Sequence, residues 1–199
     1  EDILTARVGL FEADFPEPEA RRRFFANLQA RLQDRPETAS AALVSALPGL
    51  GSQRSRIVIR GVKYVDDRSY PEVGLQMISP RFFETFGVGM VAGRDFTMRD
   101  DWASAPVAIV NQSFVRRFFP EGDAIGKQIL QRTQDNEEPW RTIIGVVPDL
   151  YMEGLTNRTQ RHPSGFYIPV AQSDVRFLSI TVRGPAPHET LASIVRDEV

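Results

Sequence analysis

Ile78-Ser79-Pro80-Arg81-Phe82-Phe83-Glu84-Thr85-Phe86, Gly93-Arg94-Asp95-Phe96-Thr97 with Asp100, Val107-Ala108-Ile109-Val110-Asn111, Phe118-Phe119-Pro120, Ile125-Gly126-Lys127 and Ile143-Ile144-Gly145-Val146-Val147 together set the frame of this chain. Pro80 opens a short helix with Phe82, Phe83 and Phe86 as its apolar side, and Gly87 ends it. Gly93 permits a tight turn. Arg94 behind it reads either as an anion site or as one half of an ion pair with Asp95 or Asp100 that locks the turn, and pairing is the usual state of a half-buried arginine. Val107 to Val110 is wholly apolar, which predicts a strand central to its sheet. Asn111 follows as the cap of a helix carrying Phe114, Val115 and Phe118, which Pro120 stops. Lys127 behind Gly126 has the look of a phosphate lysine but lacks a preceding glycine-rich loop, so pairing with Glu121 or Asp123 is expected instead. The strand from Gly126 should meet Trp140 to Val147 in a long hairpin around the charged loop Arg132 to Glu138.

Working outward on the N-terminal side, Ile3 to Phe11 reads as a strand, and Asp14-Phe15-Pro16-Glu17 as a capping box opening a helix. Phe24, Phe25, Leu28 and Leu32 form that helix's apolar stripe. Arg21, Arg22, Arg23, Arg31 and Arg35 fall mostly off it; they read as a phosphate or lipid-headgroup patch or, more simply, as a solvated face paired with Glu17 and Glu19. Ala41 to Leu47 predicts a strand, and Pro48-Gly49-Leu50-Gly51-Ser52 a turn that lacks the spacing of a nucleotide loop. Arg56 to Tyr64 and Val73 to Ile78 are two more strands around a loop at Asp66-Asp67, whose adjacent carboxylates have no third ligand at cation-binding spacing.

On the C-terminal side, Asp149 to Gly165 is polar, and Gly165 to Pro169 predicts an edge strand because Pro169 cannot donate to a ladder. Val175 to Gly184 is a strong strand, and Leu191, Ile194 and Val195 mark a closing helix. Of the two sequons, Asn111-Gln112-Ser113 is spoiled by the capping role of its asparagine, whereas Asn157-Arg158-Thr159 stays open.

The totals exclude several classes. With 199 residues the chain can bury a sizeable core, as one large domain or two small ones. A net charge of -2 gives no overall basic field for nucleic acid, although local patches are compatible with it. Absence of cysteine removes disulfides, thiol nucleophiles and thiolate metal sites. His162 and His188 stand apart with no partner at zinc-site spacing, and there is no Gly-x-Ser-x-Gly elbow. No run approaches the roughly 20 apolar residues of a membrane span, and no leader opens the chain, which begins and stops as if cut from a longer protein.

In order and spacing, the quoted motifs, ending in the Ile143 to Val147 strand and Asp149, resemble the periplasmic core domain of MacB/FtsX-type ABC transporter permeases. The resemblance implies an α+β fold of two lobes: a porter-like βαβ lobe from residues 1–93 and 172–199, and an inserted mixed α/β lobe from 94–171. It implies a further strand after the last helix. Gly93, Arg94, Asp95, Asn111, Gly126 and Gly145 match the family pattern as structural residues, with no catalytic, cofactor or metal residue among them. The implied function is not enzymatic. ATP is used by a separate cytoplasmic domain, reached through membrane spans outside this segment, and its motion passes to a periplasmic substrate, adaptor or other protein in efflux, lipoprotein release or hydrolase activation. The implied place is the periplasmic side of the bacterial inner membrane. The implied assembly is a homodimer or duplicated permease when intact, and a monomer as an isolated domain. Partner contacts are expected at the polar loops, through Arg132, Glu137, Glu138, Glu153 and Arg158. Two rivals are a secreted enzyme, and a free-standing secreted domain that binds or senses a ligand between its lobes.

Overall fold

Ten strands join into one sheet, and the far part of that sheet closes on itself. The structure is a computed structural model that describes residues 3–133, 138–150, 152 and 163–199. In chain order its elements are β1 (Ile3–Gly9), α1 (Pro18–Gln33), β2 (Ser40–Val44), β3 (Gln53–Ile59), β4 (Glu72–Ile78), α2 (Phe82–Thr85), β5 (Ala92–Gly93), β6 (Val107–Asn111), α3 (Gln112–Phe118), β7 (Gln128–Arg132), β8 (Arg141–Val147), β9 (Gly165–Pro169), β10 (Phe177–Arg183) and α4 (His188–Glu198).

The near part is an open antiparallel sheet in the order β1-β10-β2. Phe25, Leu28 and Leu32 of α1, with Leu191, Ile194 and Val195 of α4, cover one face of it and bury Val8, Leu43, Ile180 and Val182. Each such side chain contributes about 1.5–3 kcal/mol of transfer free energy, which is why the helical stripes dictate this face. Two strand-helix units interleaved in one antiparallel sheet make a split βαβ arrangement. The outer edge of β1 has no strand beside it among the described residues.

The far part is a ring of six strands, β4-β3-β7-β8-β6-β9 and back to β4. Successive side chains of a strand point to opposite faces, so one residue in two enters the lumen. Ile57, Ile59, Val73, Leu75, Ala108, Val110, Ile129, Ile143, Val146, Phe166 and Ile168 form that filling, to which Phe114 and Phe119 are packed. A ring this narrow is a packed core rather than a channel. β6 is wholly buried and central, as its apolar run predicts.

Open sheet and ring meet along an apolar seam. β2 and β4 are registered at one residue pair, Val44 and Ile78. Around it Ala42 and Val44 pack in one cluster with Phe82, Phe83, Ile109, Val147 and Tyr167.

Several sequence expectations change. α1 begins at Pro18, with Glu17 at the cap position and no side-chain cap. Asp14 instead lies in a turn whose backbone folds back on the Phe11 carbonyl, so the expected capping box does not form. β3 ends at Ile59 rather than Tyr64, because Gly61 turns the chain at a φ of 88° and the Tyr64 hydroxyl returns to accept from the Ile59 N–H. β7 and β8 share only the pairs Gln128–Thr142 and Ile129–Arg141, not a long hairpin; closing the ring requires β7 to run along β3 and β8 along β6. β9 is no edge strand but lies between β4 and β6. Pro169 is tolerated because it is the last residue of β9, beyond the point where pairing with β6 ends at Tyr167. A boundary at residue 93 would cut the ring, since β3 and β4 pair with β7 and β9.

Candidate functional site

Five of the six family-pattern residues fall into two polar knots on the ring, Gly126 lies in a turn of its own, and a third knot is built without any of them. The first is a close antiparallel pairing of the β5 backbone against the β8 backbone. Gly93 adopts a φ of 72°, and a Cβ there would land on the carbonyl oxygen of Ile144. Its register partner Gly145 is equally confined, a Cβ there falling 2.5 Å from the Arg94 carbonyl oxygen. This close approach is what both glycines are for. Arg94 then donates from two nitrogens to both oxygens of Asp100, at 2.7 and 2.8 Å, so the expected lock forms with Asp100 and not with Asp95. Burial alone would raise the Asp100 carboxyl, but the Arg94 guanidinium and the Thr97 N–H outweigh it and hold the group below its ordinary value. Asp95 has the opposite fate. Burial, then repulsion from Glu84 and Asp100, pushes it up to about 6 despite a hydrogen bond from the Phe96 N–H.

The second knot is Asn111, fully buried where β6 becomes α3. Its Oδ1 accepts from the N–H groups of Phe114 and Gly165, and its Nδ2 donates to the Pro163 carbonyl. The asparagine thus caps the helix and also pins the entry to β9. Asp149 completes this knot by accepting from the Ser113 N–H and hydroxyl and from Arg116. Gly126 takes a φ of 83° in a turn whose N–H donates to Ile143, and Lys127 pairs with Asp123 at 2.8 Å, one of its two expected partners.

The third knot is legible only in three dimensions. Gln172 accepts from Val107 N–H and Arg141 through Oε1, and donates from Nε2 to Asp101 and Ala105 carbonyls and the Ser104 hydroxyl. Nothing in its local sequence marks it. Arg21, too, departs from the expected solvated face of α1. It is 2% exposed, forks onto Asp174 at 2.9 Å from Nε and from a terminal nitrogen, and donates to the carbonyls of Phe15 and Pro16. Arg31 and Arg35 pair with Glu198 rather than Glu17 or Glu19, and Arg22 lies over the Trp102 ring at 4.1 Å.

Of the expected partner contacts, Arg132 lies 5.5 Å over the Tyr70 ring, and Glu138 reaches the buried Arg141 at 3.8 Å. Glu137, Glu153 and Arg158 lie outside the described residues, as do His162 and the Asn157 sequon. Arg132 borders a polar cleft of about 710 Å³ that also takes in Arg54, Arg56, Tyr70, Glu72 and Gln131. Sequence reading missed this cleft, although the alternation of Arg54 and Arg56 on a strand is a visible signal. Among the described residues, no group of three or more His, Asp or Glu side chains is placed to hold a metal, and no helix is long and apolar enough to cross a membrane.

Residues 9–197 match the family described as MacB-like periplasmic core domain. The chain belongs to that family. It is therefore similar to the periplasmic domains of MacB-like ABC transporter permeases. Among solved structures it resembles the periplasmic region of MacB from Actinobacillus actinomycetemcomitans, at 16% identity and a TM-score of 0.62, over 98% of this chain and 81% of that one. It also resembles the extracellular domain of the noncanonic ABC-type transporter YknZ from Gram-positive bacteria, at 14% identity and a TM-score of 0.56, over 97% and 88%. A domain of a putative permease protein from Porphyromonas gingivalis matches at 18% identity and a TM-score of 0.52, over 85% and 67%. These structures share the MacB-like fold. No curated protein sequence matches at a significant level.

Proposed function

We propose that this MacB-like periplasmic domain transmits motion, arriving from a cytoplasmic ATPase through membrane spans, to a periplasmic substrate or partner protein. The domain itself takes no cofactor in this reading, ATP being consumed on the other side of the membrane. The observation that supports it best is the seam. Ala42 and Val44 of the open sheet are buried in one apolar cluster with Ile78, Phe82, Phe83 and Tyr167. A close-packed interior has low compressibility and passes displacement on. The first and last described elements, β1 and α4, both belong to the open sheet, so motion from flanking spans would reach that sheet first and the ring through the seam. In this account the mechanical units are residues 3–52 with 170–199 and residues 53–169, a division that keeps the ring whole. The intact permease works as a pair of such domains, and the isolated segment is a monomer.

The test is to soften the seam in the intact permease with Val44→Ala and Ile78→Ala and measure ATP hydrolysis and cargo delivery together. Delivery should fall at least about tenfold relative to hydrolysis, since tenfold is only about 1.4 kcal/mol of lost coupling. Unchanged delivery per ATP in a protein that folds would contradict the reading.

A further inference from the structure

We propose that Trp102, Met98 and a small apolar socket beside them form a docking site for a segment of a partner protein that presents one aliphatic side chain next to a carboxylate. The inference deepens the transmission reading, on which its purpose rests, by naming where a partner takes hold. The socket has a volume of about 30 Å³ and lies where α1 meets the loop after β5. Phe25, Ala26, Leu43, Pro80, Met98 and Val170 supply its apolar walls. Its one wall carboxylate, Asp100, is closed off by the fork of Arg94. Small-molecule sites run to roughly 300–1,000 Å³, so this socket admits the tip of a single side chain rather than a whole ligand.

The rim of the socket is built as an anchor. Met98 is 57% exposed and Trp102 62% exposed, on a loop that the fold ties down at several points. Asp100 accepts from the Thr97 N–H, the Asp101 carboxylate accepts from the Ala103 and Ser104 N–H groups, and Gln172 donates to the carbonyls of Asp101 and Ala105. A pre-organised anchor loses little freedom on binding. Trp, Met and Arg are also the side chains enriched where proteins meet.

Arg22 decides the charge of the partner. It lines the socket, and its guanidinium lies over the Trp102 ring at 4.1 Å. It makes no hydrogen bond or ion pair with any described residue. Stacking occupies the flat face of a guanidinium and leaves the N–H groups of its edge free for an acceptor. A carboxylate fits that fork with two parallel hydrogen bonds. Arg99, exposed beside Met98, likewise has no side-chain partner among the described residues, so two cations here are open to an acidic partner. The walls come from both sides of the seam, α1, Leu43 and Val170 on one and Pro80 and Met98 on the other. A partner seated there therefore touches both mechanical units.

The experiment is fluorescence anisotropy of the 199-residue chain with a labelled, alanine-rich helical peptide carrying Leu and Glu four positions apart on one face. Of the two tryptophans, Trp140→Phe leaves Trp102 alone, and its emission reports where the peptide sits. Controls are the same peptide with Lys for Glu or with Ala for Leu, and isovalerate, which offers side chain and carboxylate without a polypeptide. The acidic peptide should bind saturably and shift Trp102 emission to the blue. Arg22→Glu should weaken it at least about tenfold and take up the lysine peptide instead. Ala26→Leu, which fills the socket from the half-buried wall of α1, should weaken it several-fold, with Tm of both variants held within about 2 °C. Equal binding of either altered peptide by the wild type, or an unmoved Trp102, would overturn the proposal. So would an absence of saturable binding, binding of isovalerate without the peptide, or self-association of the chain that Arg22→Glu abolishes. Failure here leaves the ratio of delivery to hydrolysis untouched, so the two readings fall separately.

Discussion

Arg94 closes both of its forked nitrogens on the two oxygens of Asp100, across a loop that begins with two glycine backbones in contact. Asp100 is 5% exposed whereas the Arg94 side chain is half exposed, so the pair is a buried carboxylate held by a cation from the surface. Arg94→Ala should cost about 1–3 kcal/mol, mostly from the carboxylate left behind. The folded-state value of Asp100 is depressed. Its contribution is therefore present above roughly pH 4 and lost as pH falls through the folded value. Urea melts from pH 7 downward should show the stability gap between wild type and Asp100→Asn narrowing in acid, and a gap that widens in acid would contradict this assignment.

Asp95, next in sequence, should behave in the opposite sense. Its folded value of about 6 lies above the ordinary one, so the folded state holds a proton that the unfolded state gives up. Stability from this group is greatest below about pH 4 and declines as pH rises to about 6. Asp95→Asn keeps an oxygen for the Phe96 N–H and removes the buried charge. It should stabilise the protein at pH 7 by at most about 2 kcal/mol and have little effect near pH 4, read from the same melts.

Gly93→Ala meets both a φ of 72° and the Ile144 carbonyl, so a destabilisation of about 2 kcal/mol or more is expected. Gly126 supplies the contrast. It has a similar φ with open space around it, and Gly126→Ala should cost only the backbone strain, about 1 kcal/mol. Thermal unfolding of the two variants checks the order, which a larger loss at Gly126 would reverse.

Asn111→Ala removes the helix cap and strands the Gly165 N–H in a buried place. The sum of about 1 kcal/mol for a cap and about 1–3 kcal/mol for an orphaned donor predicts one of the larger single losses in the molecule. Asn111→Asp keeps the acceptor but faces the Pro163 carbonyl with an oxygen, so denaturant melts should place it between wild type and alanine.

The arginines of α1 separate by burial. Arg21→Ala should cost about 1.5–3 kcal/mol, because it removes a buried side chain together with its charge-assisted hydrogen bonds to Asp174 and to two carbonyls. Arg31→Ala should cost at most about 0.5 kcal/mol, its side chain being half exposed beside Glu198. Chemical denaturation of both variants under one set of conditions tests the contrast.

Those two arginines also mark how far local pattern can be read. The α1 stripe, the apolar β6 run, the Asn111 cap and the glycine turns announce themselves because their physics is local. Arg21 looks like any surface arginine until Asp174, 153 positions away, is folded against it. Ring closure escaped for the same reason. β9 ends in a proline that argues for an edge, and only the simultaneous fit of β4 and β6 on its two sides overrides that local signal. Gln172 gathers donors from β6 and β8 and acceptors from the loop before β6, a convergence that no spacing in its neighbourhood encodes.

The central claim, transmission through a stiff seam, is tested most directly by spin-label distances in the intact permease, with labels on exposed Arg7 of β1 and exposed Gln53 of β3. The account predicts that the distance between these two sites within one domain stays constant between ATP-bound and nucleotide-free states. The distance between the Gln53 labels of two paired domains should shift by several ångströms, the scale of one element moving against another (~1–5 Å). An unchanged separation of the rings, or a shift confined to the pair within one domain, would contradict it.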